Sequence, residues 1–193
     1  MSSWALVPVK AAGTGKQRLA HCLTQAQRAE LIRVMLGEVL TALARAPSID
    51  QVLVLSSERG HVPNAIEVVS DPGTGLNASL QARGATRLTI LFADLPLVSA
   101  EDVSALMAAA AAGAAAAAPD HAGSGTNALT LPLPTPFRLK FGPGSFAAHV
   151  AEAARTRLSL TRVQRQGLAC DIDEPADIEA LKKRRDPRYA FLG

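Results

Sequence analysis

Apolar residues along this chain fall into short runs that alternate with longer segments of helical periodicity. The short runs predict strands over residues 4–8, 52–55, 66–69, 88–93, 128–131 and 158–163. Apolar positions at helical spacing predict helices over residues 24–46, 75–83, 100–112, 143–157 and 174–185. Because strand and helix alternate nearly throughout, the pattern indicates an α/β protein with a mostly parallel sheet.

Local signals sharpen some of these boundaries. Thr24 with Gln27 forms a capping box at the start of the first helix, and Pro175 suits the first turn of the last one. Helix propensity alone would make residues 108–118, which are nearly all alanine, one long helix. Since Gly113 can end a helix, we expect a helix followed by a thin buried strand over 114–118.

Composition restricts the class of protein. The 193 residues, 48% hydrophobic and 19% charged, predict one globular domain over residues 1–193. No apolar run approaches the roughly 18 residues that cross a membrane, and the N-terminal region lacks signal-peptide blocks. A cytoplasmic protein is therefore expected. Two cysteines, Cys22 and Cys170, are too few for a disulfide scaffold.

The positive charge of the chain is concentrated near its C-terminus. The net charge is +3, but residues 182–188 alone hold five basic side chains and one acidic side chain. The remainder of the chain is thus close to neutral, and the basic C-terminal tail, 182–193, is best interpreted as a solvated helix end. Nucleic acid is not an expected partner.

Asp94 is the carboxylate that ends the apolar run 88–93, two residues before Pro96. An ionised aspartate at the end of a buried strand needs a cation, hydrogen bonds or water to stabilise it. Open α/β sheets bind ligands in the crevice beyond the carboxyl ends of their strands. Asp94 is therefore predicted to be a metal or substrate ligand.

A second pair of carboxylates lies near the C-terminus. Asp171 and Asp173 alternate with Ile172 in an extended segment, so their carboxylates are expected to point to the same side. Two carboxylates that lie so close together favour a bound cation or a raised pKa of one of them. With Asp94 they would suit Mg²⁺, which prefers oxygen ligands and water. The alternative is that Asp173 caps the helix at Pro175.

The loop after the first strand is rich in glycine and cations, namely Gly13, Gly15, Lys10, Lys16 and Arg18. It is not a P-loop, because Lys10 occupies the position of the first glycine and Gln17 that of the final Ser or Thr. Such a loop can still present N–H groups and cations to phosphates. The alternative is a solvated basic turn.

Three further segments are candidates for ligand contact. Residues 73–78 and 123–128 share a loose GxGxxA pattern, too weak for a dinucleotide fingerprint. Asn77 and Asn127 in them either read a base or ribose or cap turns. Segment 141–146 is expected to open a helix, where N–H groups and the Ser145 hydroxyl suit an anion, although Ser145 could equally be only the N-cap.

The four histidines show no metal-ligand spacing, and we interpret them as surface or structural residues; they are His21, His61, His121 and His149.

Taken in order, the short motifs resemble the 2-phospho-L-lactate guanylyltransferase family of deazaflavin coenzyme F420 biosynthesis. The resemblance rests on WALVPVK at 4–10, GKQRL at 15–19, GLNA at 75–78, ADLPL at 93–97, GTNA at 125–128, FGPGSF at 141–146 and DID at 171–173. The helix after residue 78 and the loop 57–64 are shorter than is usual for that family. These departures concern the nucleotide side of the site.

This resemblance implies a single compact nucleotidyltransferase domain, Rossmann-like and of the nucleotide-diphospho-sugar-transferase type, with a mostly parallel mixed sheet. It implies a catalytic set of Lys10, Lys16, Arg18 and Asp94, with the three cations facing the triphosphate. Mg²⁺ would be bound by Asp94, Asp171 and Asp173. The phosphoacid would be held by Thr126, Gly142 and Ser145. The nucleotide would lie near Gly13, Gly15, Gly73, Gly75 and Asn77.

The implied reaction joins GMP from GTP to the phosphate of a small three-carbon acid and releases pyrophosphate. The family's acceptors are 2-phospho-L-lactate, phosphoenolpyruvate and 3-phospho-D-glycerate, and the sequence does not choose among them. The product would pass to a downstream deazaflavin transferase, and a homodimer is compatible with the sequence. The alternatives are a related transferase with another nucleotide or acceptor, and a non-catalytic nucleotide-binding module.

Overall fold

A seven-stranded mixed sheet is the centre of the structure, a computed structural model that describes residues 2–9, 16–70, 83–110 and 113–193. Its strands are Ser3–Pro8 (β1), Gln51–Leu55 (β2), Glu67–Val69 (β3), Arg87–Leu91 (β4), Ala115–Pro119 (β5), Thr126–Pro132 (β6) and Leu160–Arg162 (β7). They are ordered β3-β2-β1-β4-β6-β5-β7. Strand β6 is antiparallel to β4 and β5, while the other neighbouring pairs are parallel. The predicted mostly parallel sheet is confirmed.

Helices cover both faces of this sheet. The α-helices are Gln25–Arg45 (α1), Ala100–Ala109 (α2), Ser145–Thr156 (α3), Gln166–Ala169 (α4) and Pro175–Lys183 (α5), with 3-10 turns at Gln17–Leu19 and Pro187–Leu192. Strand β5 shows how the layers meet. Ala116 and Ala118 pack in the cluster shared with α1 and α2, whereas Ala115 and Ala117 pack in the cluster shared with α3. The alanine tract therefore supplies a thin strand that is buried on both faces, as predicted.

The predicted helix starts are confirmed where a capping signal was present. The Thr24 hydroxyl accepts a hydrogen bond from the Gln27 N–H, and the Gln27 side chain accepts one from the Thr24 N–H. Pro175 opens α5, and its N-cap is Glu174. The alternative that Asp173 caps this helix is therefore wrong.

Several boundaries differ from the prediction. Strand β4 ends at Leu91 instead of residue 93, because the chain turns at residues 93–94. Helix α3 begins at Ser145, two residues later than predicted, because Gly144 is the N-cap and adopts a left-handed φ of 71°. Ser145 is thus not the N-cap. Helix α2 ends at Ala109, three residues earlier than expected, and α4 was not predicted.

The predicted helix over 75–83 lies almost wholly outside the described residues. Among the residues that the structure describes, none of the helices has both the length and the apolar character required to cross a membrane.

Candidate active site

One edge of the sheet gathers the predicted site residues. Strands β1 and β4 are parallel, so their carboxyl ends meet there, and the antiparallel β6 begins at the same edge. Lys16 follows β1, Asp94 follows β4, and Thr126 opens β6. The main-chain N–H of Phe92 donates to the Asn127 carbonyl at 3.0 Å, which links the last two segments. Open α/β sheets bind ligands in the crevice beyond the carboxyl ends of their strands, so this end of the sheet is the expected ligand site.

The Lys16 ammonium lies between two of the predicted metal ligands. Its Nζ is 2.6 Å from Asp94 Oδ2 and 2.8 Å from Asp173 Oδ1. Burial by itself would lower the pKa of Lys16, but the charges of the two carboxylates outweigh it, so the pKa is raised. The lysine therefore remains charged and offsets one of the two carboxylate charges that it contacts.

Asp94 combines one satisfied and one unsatisfied carboxylate oxygen. Oδ1 is buried and has no hydrogen-bond partner among the described residues, while Oδ2 contacts Lys16. The Asp94 carbonyl accepts a hydrogen bond from the Ile172 N–H, which holds the two carboxylate segments together. A buried carboxylate oxygen without a donor is a position that a cation would stabilise.

Asp171 is held by a residue that the sequence left ambiguous. The Asn127 side-chain amide donates to Asp171 Oδ1 and to the Leu168 carbonyl, each at 3.1 Å. Burial raises the pKa of Asp171 and the charge of Asp94 adds to this, whereas the Asn127 hydrogen bond opposes it. Asn127 thus positions a carboxylate; neither a base contact nor a turn cap is needed to explain it.

The three aspartates do not form a closed coordination sphere here. Across the described ranges, no three histidine, cysteine, aspartate or glutamate side chains lie close enough together to hold a metal ion. Two of the three carboxylates are instead bridged by the Lys16 ammonium. The chemistry of the donors fits Mg²⁺, since all are carboxylate oxygens and one is unpartnered, but Mg²⁺ binding by Asp94, Asp171 and Asp173 stays a prediction.

A β-bulge at the start of β6 decides where its first side chains point. Ala128 pairs with Ala118 and Thr126 pairs with Pro119, so Asn127 is an extra residue in the ladder. As a result Thr126 contacts α3, while Asn127 contacts the segment that follows α4. Bulges re-aim side chains in this way and are frequent beside active sites.

The loop before the bulge is ordered by its own aspartate. Asp120 accepts hydrogen bonds from the N–H groups of Ser124 and Gly125, at 2.9 and 2.8 Å. A Cβ at Gly125 would lie 2.6 Å from Asp120 Oδ2, so a larger residue would force this carboxylate to move.

Thr126 and Ser145, which the resemblance assigns to the phosphoacid, are in direct contact. The Ser145 hydroxyl donates to Thr126 Oγ1 at 3.3 Å, and both side chains are buried. Gly142 lies in the turn before α3 with a φ of 131°, which favours glycine. The N–H groups of Ser145 and Phe146 already donate to Gly142 and Ser124 carbonyls. An anion at this helix start would therefore depend more on the hydroxyls than was expected.

His149 completes this cluster and was missed by sequence reasoning. It is fully buried, which agrees with the structural and not with the surface interpretation of the histidines; its Nδ1 lies 3.0 Å from Thr126 Oγ1. Burial lowers its pKa to about 4, with the charge of Glu152 opposing that shift. The available signal was its spacing of four residues from Ser145, which puts both on one helix face.

The remaining predicted residues contribute less to this description. Arg18 is exposed at the 3-10 turn after Lys16. Outside the described residues lie Lys10, Gly13, Gly15, Gly73, Gly75 and Asn77. Their assignment to the triphosphate and the nucleotide stays a prediction.

Comparison with known protein families and sequences gives a consistent result. The model of the family "Guanylyl transferase CofC like" matches residues 3–184. The chain is 40% identical to the phosphoenolpyruvate guanylyltransferase of Sphaerobacter thermophilus, over 94% of this chain and 93% of that protein. It is 37% identical to the protein of the same name from Rubrobacter xylanophilus, over 98% of each chain.

Solved structures resemble the fold at low sequence identity. A protein from Desulfovibrio desulfuricans G20, assigned as a nucleotide-diphospho-sugar transferase, superposes with a TM-score of 0.75 at 19% identity, covering 100% of this chain and 94% of that one. The CTP complex of CMP:2-keto-3-deoxy-manno-octonic acid synthetase superposes with a TM-score of 0.59 at 11% identity, covering 96% of this chain and 98% of that one. The fold is thus that of the nucleotide-diphospho-sugar-transferase type.

Proposed function

Because the chain belongs to the CofC-like guanylyl transferase family, we propose that it transfers GMP from GTP to the phosphate of a small three-carbon acid. Pyrophosphate is the second product, and the reaction belongs to coenzyme F420 biosynthesis. The proposal rests on a family match over nearly the whole chain and on a site that suits two phosphate-bearing substrates.

Among the three acceptors considered, we propose phosphoenolpyruvate. The relatives from Sphaerobacter and Rubrobacter both carry that substrate in their names, at 40% and 37% identity. Phosphoenolpyruvate differs from 2-phospho-L-lactate by a double bond, and from 3-phospho-D-glycerate by that double bond, by the position of its phosphate and by a hydroxyl. The choice therefore depends on contacts around the three-carbon unit.

The observation that carries the proposal is the meeting of two kinds of group at one sheet edge. Lys16 and the aspartates form a charged cluster, and Thr126 with Ser145 forms a hydroxyl pair. Asn127 connects them, because it is adjacent to Thr126 and hydrogen-bonds to Asp171. Cations and carboxylates suit a triphosphate with its metal, and hydroxyl donors suit a phosphate or carboxylate.

The reaction itself requires positioning more than proton transfer. An oxygen of the acceptor's phosphate attacks the α-phosphorus of GTP and forms a new phosphorus–oxygen bond. The bond from that phosphorus to the oxygen bridging to the β-phosphorus breaks, and pyrophosphate leaves with the electron pair. The attacking phosphate is already anionic near neutral pH, so no general base is needed. The residues contribute by orienting two anions and neutralising their charge.

Asp94, Asp171 and Asp173 are the residues that we propose to hold Mg²⁺. The unpartnered Asp94 Oδ1 supports this assignment. When bound, the ion would supply charge neutralisation for the phosphates that react. Because the Lys16 ammonium already contacts two of these carboxylates, a cation has to compete with it.

Pyrophosphate release tests the proposal. The protein is incubated with Mg²⁺, with GTP or ATP, and with each of the three phosphoacids in parallel, and the nucleotide product is identified by mass spectrometry. We expect release with GTP and phosphoenolpyruvate, and its loss in Asp94→Ala. Activity with ATP alone would contradict the guanine assignment. GTP binding without pyrophosphate release from any acceptor would indicate a binding module.

A further inference from the structure

Both ring nitrogens of His149 make hydrogen bonds, one of them to Thr126, a residue assigned to the phosphoacid. The Lys140 main-chain N–H donates to Nε2 at 3.0 Å, and Nδ1 lies 3.0 Å from Thr126 Oγ1. A main-chain N–H can only donate, so Nε2 must be the unprotonated nitrogen. In a neutral ring the proton is then on Nδ1, and Nδ1–H donates to the Thr126 hydroxyl.

This tautomer decides how Thr126 can be used. Thr126 Oγ1 accepts hydrogen bonds from His149 and from the Ser145 hydroxyl. A hydroxyl has one proton and two lone pairs, so both lone pairs are engaged and its proton is left for another acceptor. With the opposite tautomer, Thr126 would have to donate to Nδ1 and would have no proton left. Phosphate and carboxylate oxygens only accept hydrogen bonds, so an anionic substrate needs a hydroxyl whose proton is available.

The surroundings of the ring preserve this arrangement. His149 packs edge-on against Phe141, with ring centroids 4.9 Å apart, and lies 5.8 Å from Phe137. The ring is fully buried, so water offers no alternative partner for either nitrogen. Burial also lowers the pKa of His149 to about 4, which keeps the ring neutral near pH 7.

We propose that His149 is a positioning residue for acceptor binding: its Nδ1–H holds Thr126 so that the Thr126 hydroxyl donates to the phosphate or carboxylate of the phosphoacid. The inference rests on the proposed function, in which the acceptor lies at Thr126 and Ser145. Because the Ser145 proton is already donated to Thr126, the Thr126 hydroxyl is the one of the pair that donates to the acceptor. It assigns a role to a histidine whose ring nitrogens contact Thr126 and the Lys140 main chain.

The tautomer is tested on the wild-type protein without substrate. Two-dimensional ¹⁵N–¹H spectra distinguish protonated from unprotonated ring nitrogens, and the His149→Phe spectrum identifies which signals belong to His149. We expect protonated Nδ1 and unprotonated Nε2 near pH 7. A protonated Nε2 would overturn the inference whatever the enzyme's activity.

A double-mutant cycle tests the coupling to the substrate. His149→Phe keeps a ring in the aromatic cluster but removes the donor, and we expect the KM for the phosphoacid to rise about tenfold or more. The KM for GTP should change little. In a Thr126→Val background the same histidine substitution should have almost no further effect on the acceptor KM, because the hydroxyl that it orients is absent.

Controls separate positioning from a general loss of structure. His61→Phe, at an exposed position between β2 and β3, should leave both KM values unchanged. Thr126→Ser keeps the hydroxyl and should retain the sensitivity to His149→Phe. Equal effects of His149→Phe with and without the Thr126 hydroxyl, or an unchanged acceptor KM, would refute the role. Wild-type protein that is inactive with every acceptor would instead refute the proposed function.

Discussion

Replacing Lys16 with methionine should lower the free energy of unfolding by about 2–3 kcal/mol when no divalent cation is present. The substitution keeps the apolar stem but removes the ammonium that contacts Asp94 at 2.6 Å and Asp173 at 2.8 Å. A hydrogen bond to a charged group contributes about 1.5–3 kcal/mol, and the Asp94 side chain is 26% exposed. The Asp173 side chain is 50% exposed, so its contact adds at most about 1 kcal/mol.

Urea unfolding, followed by circular dichroism, measures this change. Lys182→Met is the matched control, because its ammonium pairs with the exposed Glu179 at 3.2 Å and its loss should cost below about 0.5 kcal/mol. Added Mg²⁺ should stabilise Lys16→Met more than the wild type, since it neutralises the same carboxylates. A Lys16→Met protein as stable as the wild type, or no more destabilised than the Lys182→Met control, would refute this reasoning.

Three further changes probe the remaining contacts. Asn127→Ala should lower the unfolding free energy by about 2 kcal/mol, because a buried amide that donates to a carboxylate and a carbonyl is lost; an unchanged urea midpoint would argue against that role. Between pH 6.5 and about 4, stability should fall by up to about 3 kcal/mol as the unfolded chain protonates His149 while the folded ring stays neutral. His149→Phe should flatten this part of the pH profile, and a wild-type curve that is already flat would contradict the buried neutral ring. Gly125→Ala should lower the free energy of unfolding by about 1–3 kcal/mol in thermal unfolding, because its Cβ would approach Asp120 Oδ2. Gly37→Ala, in open space on α1, should instead raise it by up to about 1 kcal/mol, because alanine favours a helix interior.

Much of the fold follows from signals that act over a few residues. Each of three local signals predicted the observed element: the capping box at Thr24, the proline at the start of α5 and the alternation of apolar runs. The errors fall at the ends of elements. Strand β4 ends two residues early because the chain turns at residues 93–94, and α3 starts late because Gly144, with a left-handed φ, is its N-cap.

The candidate site shows the same division. Asp94 could be selected from the sequence because it ends an apolar run, and Asp171 and Asp173 because they alternate with Ile172 in an extended segment. Their relation to Lys16 could not, since Lys16 contacts residues 78 and 157 positions away in the chain. The structure brings an ammonium to the place that the sequence assigned to a cation.

Periodicity, caps and residue type are local properties, and from them the sequence predicted most of the elements, the class of fold and the candidate aspartates. Folding adds that the bulge at Asn127 turns Thr126 toward α3 and the Asn127 amide toward Asp171. It also decided that the Lys140 N–H selects one tautomer of His149. The physical reason is that hydrogen-bond direction depends on which donors and acceptors folding brings within about 3 Å of one another, and the linear order of residues does not contain those distances.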